Sequence, residues 1–376
     1  LLIMEKIKKL YPLKFQPISV KHAWGEETIV LADLGVEDSV VTCGWLAENS
    51  IGDIMETYME RITGEDVYNY YGRQFPIVIK ILDIKGEMPF RVHPDDETAG
   101  QRYDSLGGKE LWYVAEAGAD ARIYAGFSKD MSAQELYERC ADGSLKEVME
   151  DVHPVKGGFM TIEPGTVHSA GHGLKLIVVK EASELPFTLY DSQGEENGME
   201  HLAETMDFIT YRKSEIPETI FNVPDTGRNG NVGKIVESPE FNVSLTRLSA
   251  PLHSHAESAS DCMLYVCVGG EASVQTTVPD EAGRKRTESV FMKKDEAVMI
   301  PSEVQDFFLI PSDRDTILLE ITPGRRDETD EYINPDTEPF LEGEDYEGLE
   351  DEADDGEIRT GKEGSGTSGR HDMNWK

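Results

Sequence analysis

The stretch "FMTIEPGTVHSAG" at residues 159–171 returns in altered form as "AVMIPSEVQDFFL" at residues 297–309, with Pro164-x-x-Val167-His168 falling on Pro301-x-x-Val304-Gln305. Each copy reads as a short apolar run, a turn containing proline and a second short run, the pattern of strand, turn and strand. A matching partner lies upstream of each. "ELWYVAEAGADARI" (110–123) resembles "CMLYVCVGGEASV" (262–274), with Tyr113-Val114 falling on Tyr265-Val266. Self-similarity of this kind points to a duplicated supersecondary unit, and two copies of one β-barrel unit is the economical reading. The second copy has Cys262 and Gln305 where the first has Glu110 and His168.

The segments around the repeat agree. "FPIVIKILDI" (75–84) and "LKLIVVKEA" (174–182) are short and rich in Val and Ile, and Gly and Pro punctuate the chain between such runs, as in a mostly β protein. Helical signals concentrate at 132–151, where Ser132 with Glu135 and Ser144 with Glu147 have the spacing of a capping box. From about residue 324 the composition turns acidic and Gly-rich, with 18 Asp/Glu against 6 Lys/Arg. Such a segment buries too little apolar surface to offset its ordering entropy, so a disordered acidic tail is expected.

The net charge of −37 argues against nucleic acid or an anionic membrane surface as a partner, since both reward basic patches. Cys43, Cys140, Cys262 and Cys267 are scattered and form no metal-type or disulfide-type spacing. The opening "LLIMEKIKKLYPLKF" has no secretory pattern, Met4 is the expected natural start, and no run reaches membrane-spanning length. A cytoplasmic protein with reduced thiols is expected.

Three residues in or at the ends of strand-like runs could carry chemistry: His93 in "PFRVHPDDETAG" (89–100), Glu110 and His168. Two imidazoles and a carboxylate suit a catalytic divalent metal with an open position. Histidines satisfied in the core or exposed at the surface are the competing reading, because only the fold can bring these three together. His253 and His255, upstream of Cys262, have the H-x-H spacing of a metal motif, but a surface loop is the preferred reading there. His172, close to His168, is either a proton shuttle or a rim residue. Asp95 and Asp96 could orient an imidazole or cap the helix that follows. Trp112 shares Glu110's face of the strand and could touch the same cavity.

The order "YPLKFQPISVKHAWGEETI", "CGWLAENS", "FPIVIKILDIKGEMPFRVHPDDETA", "GGKELWYV", "PGTVHSAGHG" and "LPFTLYD" resembles the type I, cupin-fold mannose-6-phosphate isomerases, particularly their short bacterial branch. The resemblance runs from about Tyr11 to Pro311. It implies two tandem cupin (jelly-roll) barrels: a metal-binding catalytic domain at 10–215 with a helical insertion at about 131–152, a metal-free second domain at 216–323, and the acidic tail at 324–376. It also implies a Zn²⁺ cofactor held by His93, Glu110 and His168, with mannose 6-phosphate and fructose 6-phosphate as the interconverted sugar phosphates. A divergent cupin that binds metal and sugar without this isomerisation is the alternative.

The chain departs from the family pattern at the site itself. Arg91 stands where the family has Gln, Thr188 where it has its catalytic Arg, and Gly108 where it has Lys, with Lys109 one position off. The family's Glu-Ile-Gln-Gln stretch reads "VVKE" at 178–181. Residues two apart on a strand share a face, so Arg91 could replace the lost cation beside His93, helped by Lys109 and Lys180. A surface ion pair of Arg91 with Asp95 or Glu97 is the competing expectation. Arg91, Lys109, His172 and position 188 are therefore the candidate catalytic positions beside the three metal ligands.

Overall fold

The structure, a computed structural model, describes residues 8–35, 38–183, 185–221, 232–255, 261–279 and 284–324. The expected tail from residue 325 onward and the side chain of His255 lie outside the described residues. The residues from Leu1 to Glu338 cluster as one compact unit; a second, Pro339–Lys376, lies wholly outside the described residues.

In chain order the first half contains β1 (Ile18–His22), β2 (Gly25–Leu31), α1 (Ile51–Tyr58), α2 (Glu60–Thr63), α3 (Glu65–Tyr71), β3 (Ile77–Ile84), β4 (Phe90–Val92) and α4 (Asp96–Tyr103). It continues with β5 (Glu110–Ala117), β6 (Ile123–Phe127), α5 (Ala133–Asp142), β7 (Met149–Val152), β8 (Phe159–Ile162), β9 (His168–Ala170), β10 (Leu174–Glu181), β11 (Phe187–Tyr190) and α6 (Gly198–Thr205). The second half is nearly all strand: β12 (Val232–Glu237), β13 (Phe241–Leu248), β14 (Leu252–His255), β15 (Met263–Gly269), β16 (Glu271–Pro279), β17 (Lys285–Lys293), β18 (Ala297–Ile300), β19 (Asp306–Pro311) and β20 (Thr316–Pro323).

These strands form four antiparallel sheets. The first half makes the orders β1-β2-β3-β10-β5-β8 and β11-β4-β9-β6-β7; the second makes β12-β13-β20-β15-β18 and β14-β19-β16-β17. Apart from β1 and β11, every strand of the first pair of sheets has a counterpart in the second whose number is ten higher, in the same order. The sequence repeat therefore has a topological equivalent, since β5, β8 and β9 carry the first copy and β15, β18 and β19 the second.

Strand alternation sorts the core. Leu82, Trp112, Val114, Leu176 and Val178 pack with Trp24, Ile123 and Ala125 between the two sheets of the first half. The alternate residues Ile79, Leu111, Tyr113 and Val179 belong to another cluster, which they share with Phe241, Val243 and Leu245 of the second half. β3 is apolar almost throughout because both of its faces are covered.

The helical signal needs a correction. Ser132 does cap α5, its hydroxyl accepting from the Glu135 N–H at 3.1 Å, and Gly143 ends the helix at φ 77°. Ser144 makes no side-chain cap. More helix lies at 51–71 than in the expected stretch, opened by a capping box in which Ser50 Oγ accepts from Asp53 N and Asp53 Oδ2 accepts from Ser50 N, at 3.1 and 3.0 Å.

Candidate metal centre

His93 directly follows β4, Glu110 opens β5 and His168 opens β9. The register brings these ends together, because Arg91 of β4 pairs with His168 of β9 while Glu110 of β5 pairs with Lys180 of β10. All three side chains are buried, and one ligand atom from each lies within 4.8 Å of the others. His93 Nε2 stands 3.0 Å from Glu110 Oε1, and the two imidazoles stack with centroids 5.2 Å apart.

The surroundings fix which atoms face the cluster. His93 Nδ1 lies 3.2 Å from the Leu185 carbonyl and His168 Nδ1 lies 2.9 Å from that of Thr166. A carbonyl only accepts, so each Nδ1 carries a proton and each ring turns its Nε2 toward the cluster. The Trp112 indole donates to Glu110 Oε2 at 2.7 Å, and the ammonium of Lys180 stands 3.8 Å from Oε1. His93 Nε2 and a carboxylate oxygen 3.0 Å apart in a buried place need a proton or a cation between them. The donor set thus fits a divalent cation.

Electrostatics agree. Burial alone would raise the Glu110 pKa, but His93, Lys180 and His168 together hold it well below the usual carboxylate range. Burial lowers His168 to about 4, against the opposing pull of Glu110, which leaves a neutral imidazole near neutrality.

Arg91 faces the cluster side of β4 but pairs with neither Asp95 nor Glu97. Its Nη2 donates to Glu196 Oε1, while Oε2 of the same carboxylate accepts from the hydroxyl of Thr188, which is Arg91's register partner on β11. The charge of Arg91 reaches His168 and also Glu27 on the facing sheet, where Glu27 is paired with Lys80 at 2.9 Å.

The other candidates fall elsewhere. The Lys109 ammonium is held by Glu163 and Glu240 at 3.2 and 3.3 Å, and His172 is exposed in the turn after β9. Asp95 caps α4 by accepting from Thr98 N at 2.8 Å, and Asp96 accepts from Gly107 N at 2.7 Å, so both carboxylates shape the approach to β5. His253 corrects the expected loop: it lies exposed on strand β14, paired with Asp306 and stacked on Phe308, while Cys262 is fully buried. Among the described residues His93, Glu110 and His168 are the group gathered as a possible metal site.

Two contributors carried little sequence signal. Lys180 could be placed beside Glu110 only once the β5–β10 register was known. Glu196 sits in the polar loop "DSQGEENG" (191–198), which reads as a solvated turn.

No protein-family model matches the chain. It is 27% identical over 194 residues to the mannose-6-phosphate isomerase ManA of Bacillus subtilis (strain 168), covering 48% of this chain and 61% of that protein. It is 31% identical over 145 residues to the mannose-6-phosphate isomerase of Streptococcus mutans serotype c, covering 37% and 45%. The matched region thus spans only about half to three fifths of these curated relatives. The fold is similar to the crystal structure of mannose 6-phosphate isomerase from B. subtilis, with a TM-score of 0.68 and 18% identity over 83% of this chain and 99% of that one. A mutant phosphomannose isomerase from Salmonella typhimurium gives a TM-score of 0.62 and 13% identity over 84% and 100%. Ordered motifs and curated likeness make the chain similar in sequence to mannose-6-phosphate isomerases, and its mostly β antiparallel architecture shares their fold.

Proposed function

We propose that the protein is a zinc-dependent aldose-ketose isomerase interconverting mannose 6-phosphate and fructose 6-phosphate in the cytoplasm. The observation that carries this reading is the buried His93–Glu110–His168 cluster with both Nδ1 atoms turned to carbonyls. In domain terms, the two pairs of sheets are two jelly-roll copies, a metal-binding one at 10–215 with its helical insertion between β6 and β7 and a metal-free one at 216–323, ahead of an acidic tail at 324–376.

Isomerisation moves a proton between C2 and C1 through a cis-enediol, with negative charge building on the carbonyl oxygen. A bound Zn²⁺ supplies Lewis acidity toward that charge. His93, Glu110 and His168 are the residues that would hold it. The rest is done by side chains of this chain. The Leu185 and Thr166 carbonyls lock both tautomers, and Trp112 fixes the Glu110 carboxylate by occupying Oε2. Lys180 and Arg91 bring positive charge to a site that must receive an anionic sugar.

A coupled assay of the zinc-loaded protein with mannose 6-phosphate tests the reading. Conversion abolished by a chelator and by His93→Ala is expected; no conversion by protein of verified zinc content refutes it. Thr188, in place of the family's catalytic arginine, favours a second reading, a sugar-phosphate-binding relative without turnover. That protein would be thermally stabilised by mannose 6-phosphate and would leave it unconverted.

A further inference from the structure

Arg91 and Thr188, two of the positions where the chain departs from the pattern it resembles, are joined by one side chain. Glu196 places Oε1 on Arg91 Nη2 and Oε2 on the Thr188 hydroxyl. Arg91 is 18% exposed and Glu196 35% exposed, so the guanidinium lies inside and the carboxylate covers it from the solvent side. Arg91 Nε is buried and has no hydrogen-bond partner. The pair therefore leaves one donor of the guanidinium fork unsatisfied, which is costly for a buried group.

The loop that delivers Glu196 is prefolded. Asp191 Oδ1 accepts from Gln193 N at 2.8 Å, and Oδ2 accepts from Glu195 N and Glu196 N at 2.8 and 3.0 Å. Glu195 Oε2 accepts from Ala23 N at 3.1 Å in the turn between β1 and β2, so the loop runs from one sheet of the first half to the other. With its backbone held at both sides, Glu196 can leave Arg91 by side-chain rotation alone.

A carboxylate with one oxygen on a guanidinium and the other on a hydroxyl occupies the places of two phosphate oxygens. A phosphate brings a third oxygen for the Nε–H and a larger charge. We propose that Arg91 and Thr188 form the phosphate seat of this site and that Glu196 is a tethered competitor which a phosphorylated sugar displaces, an inference that rests on the isomerase reading for the identity of the sugar. Tethering gives Glu196 a high effective concentration, so singly charged anions and neutral sugars fail to displace it. The seat thereby selects for the phosphate before the sugar reaches the triad.

The test is calorimetric titration of the full chain with inorganic phosphate, compared among wild type, Glu196→Gln, Thr188→Val and Arg91→Gln. Removing the competing charge in Glu196→Gln is expected to lower the phosphate Kd about tenfold, and Arg91→Gln to raise it by at least as much. Thr188→Val raises it a few-fold and carries the test beside Glu196→Gln should Arg91→Gln fail to fold. Binding of phosphate by Glu196→Gln no tighter than by wild type overturns the proposal. Mannose 6-phosphate should follow inorganic phosphate across the series, whereas mannose should not respond to Glu196→Gln. Tighter phosphate binding without turnover leaves the seat standing and removes the isomerase; turnover with a phosphate Kd indifferent to Glu196→Gln does the reverse.

Discussion

Gly108 stands two residues before Glu110, where the family resemblance expects a lysine, and the packing of His93 explains the change. A Cβ at 108 would lie 2.1 Å from the Cβ of His93, so the imidazole occupies the space a side chain would need. Gly108→Ala should push His93 off its place and weaken zinc binding by about tenfold or more, in line with other losses of ligand support. Competition with a chromophoric chelator measures this, and unchanged affinity would refute the steric account. A second residue makes a prediction about pH. Burial, with help from nearby Asp38, raises the Asp33 pKa from 3.8 to about 6 against the opposing Phe75 N–H. A carboxyl raised in the folded state favours folding when protonated. Its contribution is complete below about pH 4 and disappears as pH rises through 6, a swing of roughly 3 kcal/mol. Asp33→Asn keeps an acceptor for Phe75 N and should unfold at higher denaturant concentration than wild type at pH 8, with the advantage shrinking toward pH 4. An equal advantage at both pH values would contradict the assignment. At this scale the triad was legible because the motifs around it are specific. Arg91's partner was not, since the nearby acids Asp95 and Glu97 belong to the cap and first turn of α4, while Glu196 lies 105 residues away.

Elements were read best where a local rule sufficed. The alternating apolar runs gave the strands of the repeat, and Ser132 gave the start of α5. The same spacing at Ser144 misled, because its hydroxyl accepts from Arg139 Nη1 at 3.1 Å and also donates to Asp142 instead of capping a helix. Ser132→Ala should therefore cost about 1 kcal/mol, the ordinary worth of a cap, and Ser144→Ala clearly less. Urea melts of the two variants compare them directly, and equal losses would mean that the cap geometry does not set the energetics. The stretch at 51–71 was missed although Ile51, Ile54 and Met55 already follow helical spacing and are buried. Three short helices interrupted at Met59 and Gly64, with φ of 50° and 99°, give no single long period to detect. β14 was taken for a loop because "PLHSHAES" lacks an apolar run. Its pairing with β19 and the stacking of His253 on Phe308 supply what the local sequence does not.

Duplication was visible in the sequence, yet the way the two halves meet was not, because strand periodicity tells which residues share a face and never which outer face finds which partner. The apolar residues on both sides of β3 were the available clue. The halves are joined through the cluster containing Ile79, Tyr113, Phe241 and Val243, through Leu13 and Met299 exchanging backbone hydrogen bonds at 2.8 Å, and through Lys109 and Glu240 at 3.3 Å. Leu13 is fully buried at this junction, and its truncation to Ala should cost about 2–5 kcal/mol. Such sharing predicts that the first and second halves unfold together. It also makes the candidate metal centre a reporter on the whole unit, since every candidate ligand lies in the first half. At a hundredfold excess of zinc over its Kd, binding to the folded state alone adds about 2.7 kcal/mol. In one cooperative unit that gain moves a single transition by a few degrees. If the halves melted independently, only the first would shift and the second would stay where it was. Scanning calorimetry with zinc and with chelator separates the two cases. One peak moving intact is the expected result, and a split peak with one stationary component would refute the shared core as a source of cooperativity.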